Sequence, residues 1–346
     1  MSLLGRDLAI DLGAAGTRIY AKGRGIVLDE PSVVLRDRRT GKVVGFGADA
    51  VTGADGADGA DGADGADGVD GVDGADGETY WPISDGLPQD GELARRMIRH
   101  FLRKVHRHPF PRPRLVMAVP DEFTPIERVA LRDAGFEAEA RGILLVKHAI
   151  AAALGAGLPV RDGSGHMVVD IGRDATRVAV LSCGAVVAAG TVRGGGNAVT
   201  RAVARLVEDE HGLLADEREA EAAKLRATRE PTGNVLIRGR DAGTGEERAV
   251  ALPAARVREA AVQPVEHIVR AAEHTMERCP PELTADLGER GMVLVGGGAL
   301  LPGLRRRLQE GLSMPVRRAE RPTDSVALGL GRCVEDLGLI AKLRRR

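Results

Sequence analysis

The sequence predicts an α/β fold built from two related units. Three observations point to it. Short apolar runs alternate with helical patterns along 346 residues, enough for two domains. A strand that ends in Asp-x-Gly and turns into further strands occurs twice, about 160 residues apart. The first copy is "LAIDLGAAGTRIYAKGRGIVL" and the second "HMVVDIGRDATRVAVLSCGAVVAAGTVRGGG". An apolar fraction of 43% supports a real core in each copy. Together these predict a duplicated fold with a cleft between the copies.

The elements follow in order. "AIDLG" and "RIYAKG" form the first hairpin of a β-meander. A strict three-residue repeat then runs from Gly53 to Gly77. It lacks the prolines of collagen and the apolar core residue of calcium solenoids, so it reads as a flexible acidic loop. Weak cation binding is the other reading. "GELARRMIRHFLRKV" is an amphipathic helix with Leu93, Met97, Ile98, Phe101, Leu102 and Val105 on one side. "RPRLVMAVP" is a buried strand. In "TPIERVALRDAG", Thr124, Pro125 and Glu127 make a capping box. "GILLV" is a strand, and "KHAIAAALGAGL" a small-residue helix able to pack very closely. After the second Asp-x-Gly copy come helices at 198–210 and 216–226, then a short β region. One long helix, "AARVREAAVQPVEHIVRAAEHTMERC", follows. "GMVLVGGGALLPGLRRRLQEGL" is strand, glycine turn and helix. "MPVRRA" is a strand and "TDSVALGLGRCVEDL" a closing helix.

Composition excludes several functions. Aromatics make up only 2%, too few for stacking on single-stranded nucleic acid. A net charge of −1 gives no bulk attraction to DNA or acidic membrane, so no nucleic-acid partner is expected. Cys183, Cys279 and Cys333 lack metal-ligand spacing and read as reduced core thiols of a cytoplasmic protein. No apolar run approaches the roughly 18 residues of a membrane span. Met1–Asp7 lacks a signal-peptide pattern.

A strand that ends in Asp and turns at Gly can aim backbone N–H groups at a phosphate. Alone, each such turn is equally a structural β-turn. In order, however, "DLGAAGT", "DIGRDAT" and "GGGALLPGL" resemble the actin-like ATPase superfamily. "KGRGIVLDEPSVV", "AAALGAGLP", "MVVDIG", "MVLVGGGALLPGL" and "SVALGLGR" are similar to segments of MreB and MreB-like cell-shape proteins, at their spacing. The resemblance covers nearly the whole chain outside the repeat. It implies an actin-like ATPase fold, duplicated ribonuclease-H-like domains around a nucleotide cleft. Domain I would hold residues 1–150 and 321–346, with the acidic loop 53–77. Domain II would hold 151–320.

The resemblance also implies ATP and Mg²⁺ as cofactors. Asp11 and Asp170 would organise the metal through water. Gly13, Ala14, Ala15, Gly16 and Thr17 would form the first phosphate turn. Gly172, Arg173, Asp174 and Thr176 would belong to the second. Gly296, Gly297, Gly298, Ala299 and Leu300 would lie at the adenosine, with Glu221 and Lys224 reaching ribose and base. Departures from the family pattern predict a degenerate site. Ala14 and Gly16 replace the family's Thr and Asn. Arg173 and Asp174 replace glycines, which costs on the order of 1–2 kcal/mol each if those glycines use φ > 0. Asp174 sets a negative charge near the phosphates, and Arg173 or Arg177 can offset it by contacting a phosphate. Lys147-His148-Ala149 stands where the family has Glu-Glu-Pro, whose second Glu positions water. His148 is either a substitute base near neutral pH or a histidine beside a disabled site.

The implied function is cytoskeletal: cell shape and cell-wall organisation, as filaments of this chain or with a typical MreB paralogue. The implied location is cytoplasmic, peripheral at the inner membrane face, beside the cell-wall synthesis machinery. Phe110 in "HRHPFPRPR" sits at the membrane loop of the family, where one aromatic gives only weak binding of about 1.5–3 kcal/mol. An ordinary basic loop is the alternative. Two other classes stay open at this point. One is an actin-fold enzyme such as a chaperone ATPase or sugar kinase. The other is a scaffold that binds no nucleotide.

Overall fold

The computed structural model of the chain describes residues 7–55, 77–84, 86–106 and 112–344. Phe110 and residues 56–76 of the repeat lie outside them. The chain divides into two compact units. One is Met1–His148 with Leu330–Leu337, and the other Ala149–Gly329 with Gly338–Arg346.

The first unit opens with the meander β1 (Leu8–Leu12), β2 (Gly16–Ala21) and β3 (Gly25–Pro31). A small lobe follows: β4 (Val34–Asp37), β5 (Val43–Phe46), α1 (Ala48–Asp55) and β6 (Gly77–Tyr80), its sheet ordered β5-β4-β6. The pair β7 (Ile83–Ser84) and β8 (Leu87–Pro88) leads to α2 (Gly91–Val105). Asp90 caps α2 by accepting from Leu93 N at 3.0 Å. Its predicted apolar side is buried at Leu93, Met97, Ile98, Phe101 and Leu102. Then come β9 (Arg114–Val119), α3 (Pro125–Glu137), β10 (Gly142–Lys147) and α4 (His148–Gly155). The capping box of α3 forms as predicted. Glu127 N donates to Thr124 Oγ1 at 3.2 Å, and Thr124 N to Glu127 Oε2 at 2.6 Å. The main sheet is ordered β10-β9-β1-β2-β3, with β1, β9 and β10 parallel and the meander antiparallel.

The second unit repeats this plan. It contains β11 (His166–Ile171), β12 (Ala175–Ser182), β13 (Ala185–Arg193) and α5 (Gly195–His211). Next are β14 (Leu213–Leu214), α6 (Glu217–Arg229), β15 (Asn234–Asp241), β16 (Glu247–Pro253), α7 (Ala254–Glu259) and α8 (Val262–Glu277). The chain continues through α9 (Pro281–Arg290), β17 (Met292–Val295), a 3₁₀ turn at Gly297–Leu300, α10 (Leu304–Leu312) and β18 (Val316–Arg318). It closes with α11 (Ser325–Glu335) and α12 (Leu337–Arg344). The main sheet is ordered β13-β12-β11-β17-β18. An antiparallel meander again gives way to two parallel strands. Read as β3-β2-β1-β9-β10, the first sheet has the same topology.

Three features depart from the sequence reading. The long helix expected at 254–279 breaks into α7 and α8 at Ala260–Ala261. Pro264 is the cause: it has no N–H for the Ala260 carbonyl, and its ring crowds that carbonyl. Cys183 is exposed, not a core thiol. It shares the β12–β13 turn with Gly184, at φ 52° and 79°, the two positive values of a type I′ hairpin. Cys333 is buried as expected, and burial pushes its thiol up to about 11. The helices α1, α9 and α12 add to the predicted set, and α1 takes in Gly53–Asp55 and β6 Gly77 of the repeat expected to be a loop.

The small-residue helix packs as closely as predicted. A Cβ on Gly155 would stand 1.7 Å from the Ser325 carbonyl oxygen, and one on Gly329 1.8 Å from that of Ala151. The backbones of α4 and α11 touch, so no side chain fits at either glycine. Among the described residues no helix is long and apolar enough to cross a membrane. Gly155→Val and Gly329→Val should each lower unfolding stability by at least about 2 kcal/mol through overpacking. Gly288→Ala, on α9 with open space around it, should be neutral or stabilising by up to about 1 kcal/mol. Urea unfolding of the three variants checks the contrast.

Candidate functional site

In the first unit, β1 ends in Asp11 and Leu12, and the chain turns through Gly13–Ala15 into β2. Gly13 N donates to Gly16 O at 3.2 Å and closes the turn. A Cβ on Gly13 would stand 2.8 Å from that oxygen, so the position needs glycine. Below the turn, Thr17 is buried, with its hydroxyl 2.9 Å from that of Ser32. The Ser32 hydroxyl donates to Gly13 O at 2.6 Å and braces the turn from behind. Sequence reasoning missed Ser32; a serine directly after Pro31 and before an apolar pair was the available signal. The amides of Ala14 and Ala15 meet no acceptor among the described residues. Asp11 is buried at the strand end, opposite Arg18 on β2. His148 follows β10 directly and starts α4. Since β1, β9 and β10 run parallel, Asp11, the turn and His148 share one sheet edge, the carboxyl end where α/β sheets bind ligands.

The second unit rebuilds this turn residue for residue. Gly172 N donates to Ala175 O at 2.9 Å, as Gly13 does to Gly16. Asp170 is buried opposite Arg177, as Asp11 is opposite Arg18. Thr176 is buried like Thr17, but its hydroxyl finds no partner. Arg173 and Asp174 occupy the places of Ala14 and Ala15. Neither has positive φ, so the left-handed penalty considered for them does not arise. The turn carbonyls are seated on the start of α5. Gly172 O accepts from Gly196 N at 2.8 Å, Arg173 O from Asn197 N at 2.8 Å, and Asp174 O from Gly194 N. Gly195, at φ 35°, lies so close that a Cβ would meet Gly172 O at 2.4 Å. Glycine is therefore required opposite the turn rather than within it. The triple glycine of "VRGGGN" was visible in sequence, but its role was not.

Side chains hold the same junction. Asn197 Nδ2 donates to Asp174 Oδ1 at 2.8 Å. Arg173 donates to Asn197 Oδ1 at 3.4 Å and to Glu217 Oε1 at 3.1 Å. The Nε and Nη2 of the guanidinium are thus engaged by the protein itself. Lys224 is buried against the first turn of α5. Its ammonium donates to Gly196 O at 3.2 Å, Thr200 Oγ1 at 3.0 Å and Glu221 Oε2. Glu221 and Lys224 therefore abut the glycine turn. Gly296, at φ 78°, is pressed on the second strand end: a Cβ there would meet Asp170 Oδ1 at 2.2 Å. Gly298 packs on Ile171, Gly297 faces open space, Ala299 is buried and Leu300 exposed. The second unit thus gathers Asp170, the 172–176 turn, Glu221, Lys224 and the 296–300 turn.

This donor set suits a hydrated cation better than a protein cage. Among the described residues, no three His, Cys, Asp or Glu side chains converge on one point. Each unit instead offers one buried carboxylate at a strand end beside the turn, and a cation that keeps most of its water shell needs only one or two carboxylates.

The family described as MreB/Mbl protein matches residues 5–54 and 74–342 of the chain. The cell shape-determining protein MreB of Escherichia coli (strain K12) is 39% identical over 345 residues, covering 96% of this chain and 94% of that protein. MreB5 of Spiroplasma citri, solved bound to AMPPNP, superposes with a TM-score of 0.85 at 23% identity. It covers 96% of this chain and 97% of its own. A MamK double helical filament gives a TM-score of 0.77 at 19% identity, over 96% of this chain and 99% of its own.

The junction makes opposite predictions for two buried polar residues. Lys224→Met removes hydrogen bonds at Gly196, Thr200 and Glu221 and should destabilise the ligand-free protein by about 1–3 kcal/mol. Thr176→Val removes a hydroxyl that has no partner and should be neutral or stabilising. Denaturant unfolding of the two variants separates these outcomes; equal losses would contradict the assigned geometry.

Proposed function

The chain belongs to the MreB/Mbl family and has its actin-like fold, and from this we propose a cytoskeletal protein of cell shape and cell-wall organisation. The observation that carries the reading is the turn built twice, once on each of two sheets of the same topology, in a chain matched by the family on both sides of the repeat. In this reading the two turns hold the phosphates of ATP. The free amides of Ala14 and Ala15 suit an anion in the first turn. In the second turn Arg173 braces the loop through Glu217 and Asn197. Asp11 and Asp170 would organise Mg²⁺ through water, and the bound ion would offset charge on the phosphates. Gly296–Leu300 would lie at the adenosine, with Glu221 and Lys224 beside ribose and base.

His148 supplies no carboxylate to orient an attacking water, so the expected state is nucleotide bound with slow turnover. The chain would work in filaments of its own or with a typical MreB paralogue, cytoplasmic and beside the inner membrane face. The second of these is favoured by the repeat, which interrupts the family match between α1 and β6 of the small lobe. Contact with the membrane through Phe110 and with the cell-wall machinery belongs to the same proposal.

Sedimentation with ATP and Mg²⁺ tests the function. The chain should pellet alone, or be carried into the pellet by a typical MreB paralogue from the same cell. Asp11→Ala and Asp170→Ala should each reduce the pelleted fraction several-fold. A chain that stays in the supernatant under both conditions would contradict the proposal.

A further inference from the structure

The second unit carries a cavity at the end of its sheet away from the nucleotide turns. Asp170 and Gly296 lie at the carboxyl ends of β11 and β17, whereas the cavity opens where β11, β17 and β18 begin. Register places the residues. Met167 pairs with Met292, Met292 with Val316, and Val293 with Arg317. His166, Arg290 and Arg317 therefore gather at the amino ends of three adjacent parallel strands. The cavity, of about 110 Å³, has apolar walls at Leu158, Pro159 and Val293. That volume compares with about 30 Å³ per water in the liquid, so it holds a few waters or one small oxyanion.

His166 is buried, with Nε2 taken by Asp162 Oδ1 at 2.6 Å. Asp286 lies one helical turn before Arg290 on α9, but its carboxylate accepts from Gly165 N at 2.7 Å. Asp162 and Asp286 are each held by one of these contacts. Arg290 and Arg317 form no ion pair or hydrogen bond among the described residues. Arg290 ends α9 without bonding its carbonyls, and Gly291 closes the helix instead. Two guanidinium groups that form no ion pair among the described residues, at the mouth of a partly apolar cavity, match the forked recognition of a phosphate group.

We propose that this cavity binds a phosphate group, held by Arg290 and Arg317 over His166. The site is separate from the nucleotide turns and does not depend on them. Free inorganic phosphate and a phospholipid headgroup share this chemistry, and two arms of one experiment distinguish them.

In the first arm, the purified full chain is melted in rising inorganic phosphate, against chloride of equal ionic strength. A saturable rise in melting temperature is expected, with a midpoint in the millimolar range typical of small anions, roughly 1–10 mM. Arg290→Ala/Arg317→Ala should move that midpoint up at least tenfold and leave melting without phosphate unchanged, since both side chains are exposed. In the second arm, the same proteins are floated with phosphatidylcholine vesicles, with or without phosphatidylglycerol. Binding to the anionic vesicles that the double variant loses would assign the site to a headgroup. Phosphate binding without such vesicle binding would assign it to the free anion. An identical response of wild type and double variant in both arms would overturn the proposal. Arg317→Gln, read separately, keeps the test decisive if the double variant folds poorly.

Discussion

Three carbonyls of the second turn, at Gly172, Arg173 and Asp174, accept from amides at the start of α5. That seam fixes much of the second unit. It gives the first amides of α5 acceptors that a helix N-terminus otherwise lacks. It sets the distance between β11 and α5 so tightly that Gly195 has no room for a side chain. It also brings Lys224 and Glu221 of α6 against the turn, because they grip Gly196 and Thr200 near the start of α5. The candidate site of this unit is assembled around a backbone junction, and its side chains reinforce that junction.

The first unit solves the same problem with fewer charges. Its turn has the same closing hydrogen bond, buried threonine and buried aspartate. Its brace is the Ser32 hydroxyl, which holds Gly13 O from behind and is itself paired with the Thr17 hydroxyl. In the second unit the Thr176 hydroxyl has no partner, and support comes from above through Asn197, Arg173 and Glu217. The two turns are thus equivalent in backbone and different in how side chains secure them. Side chains at 173 and 174 are tolerated because the backbone there keeps ordinary negative φ.

Most of the architecture was legible in the sequence. The apolar side of α2 and the Thr124 capping box follow from local pattern, since spacing alone sets them, and the small residues of α4 signalled a close fit without naming its partner. The duplication was legible because Asp-x-Gly recurs with the same flanking strands. Features that depend on partners distant in sequence were not. Ser32 matters through Gly13, and Gly194–Asn197 through the 172–174 carbonyls. Cys183 looked like a core thiol because its hairpin position depends on φ, which composition does not report. The break before α8 was readable in principle, as Pro264 alone accounts for it. The strain suspected at Arg173 and Asp174 presumed a backbone conformation that only coordinates reveal.

We propose a nucleotide site that keeps both turns but has His148 where an acid would position water. Calorimetric titration of the purified chain with ATP and Mg²⁺, paired with phosphate release in the same samples, tests this most directly. Saturable binding in the micromolar range is predicted, with release at least roughly tenfold slower than in His148→Glu. No saturable binding up to millimolar ATP would contradict the account, as would release by the wild type as fast as by that variant.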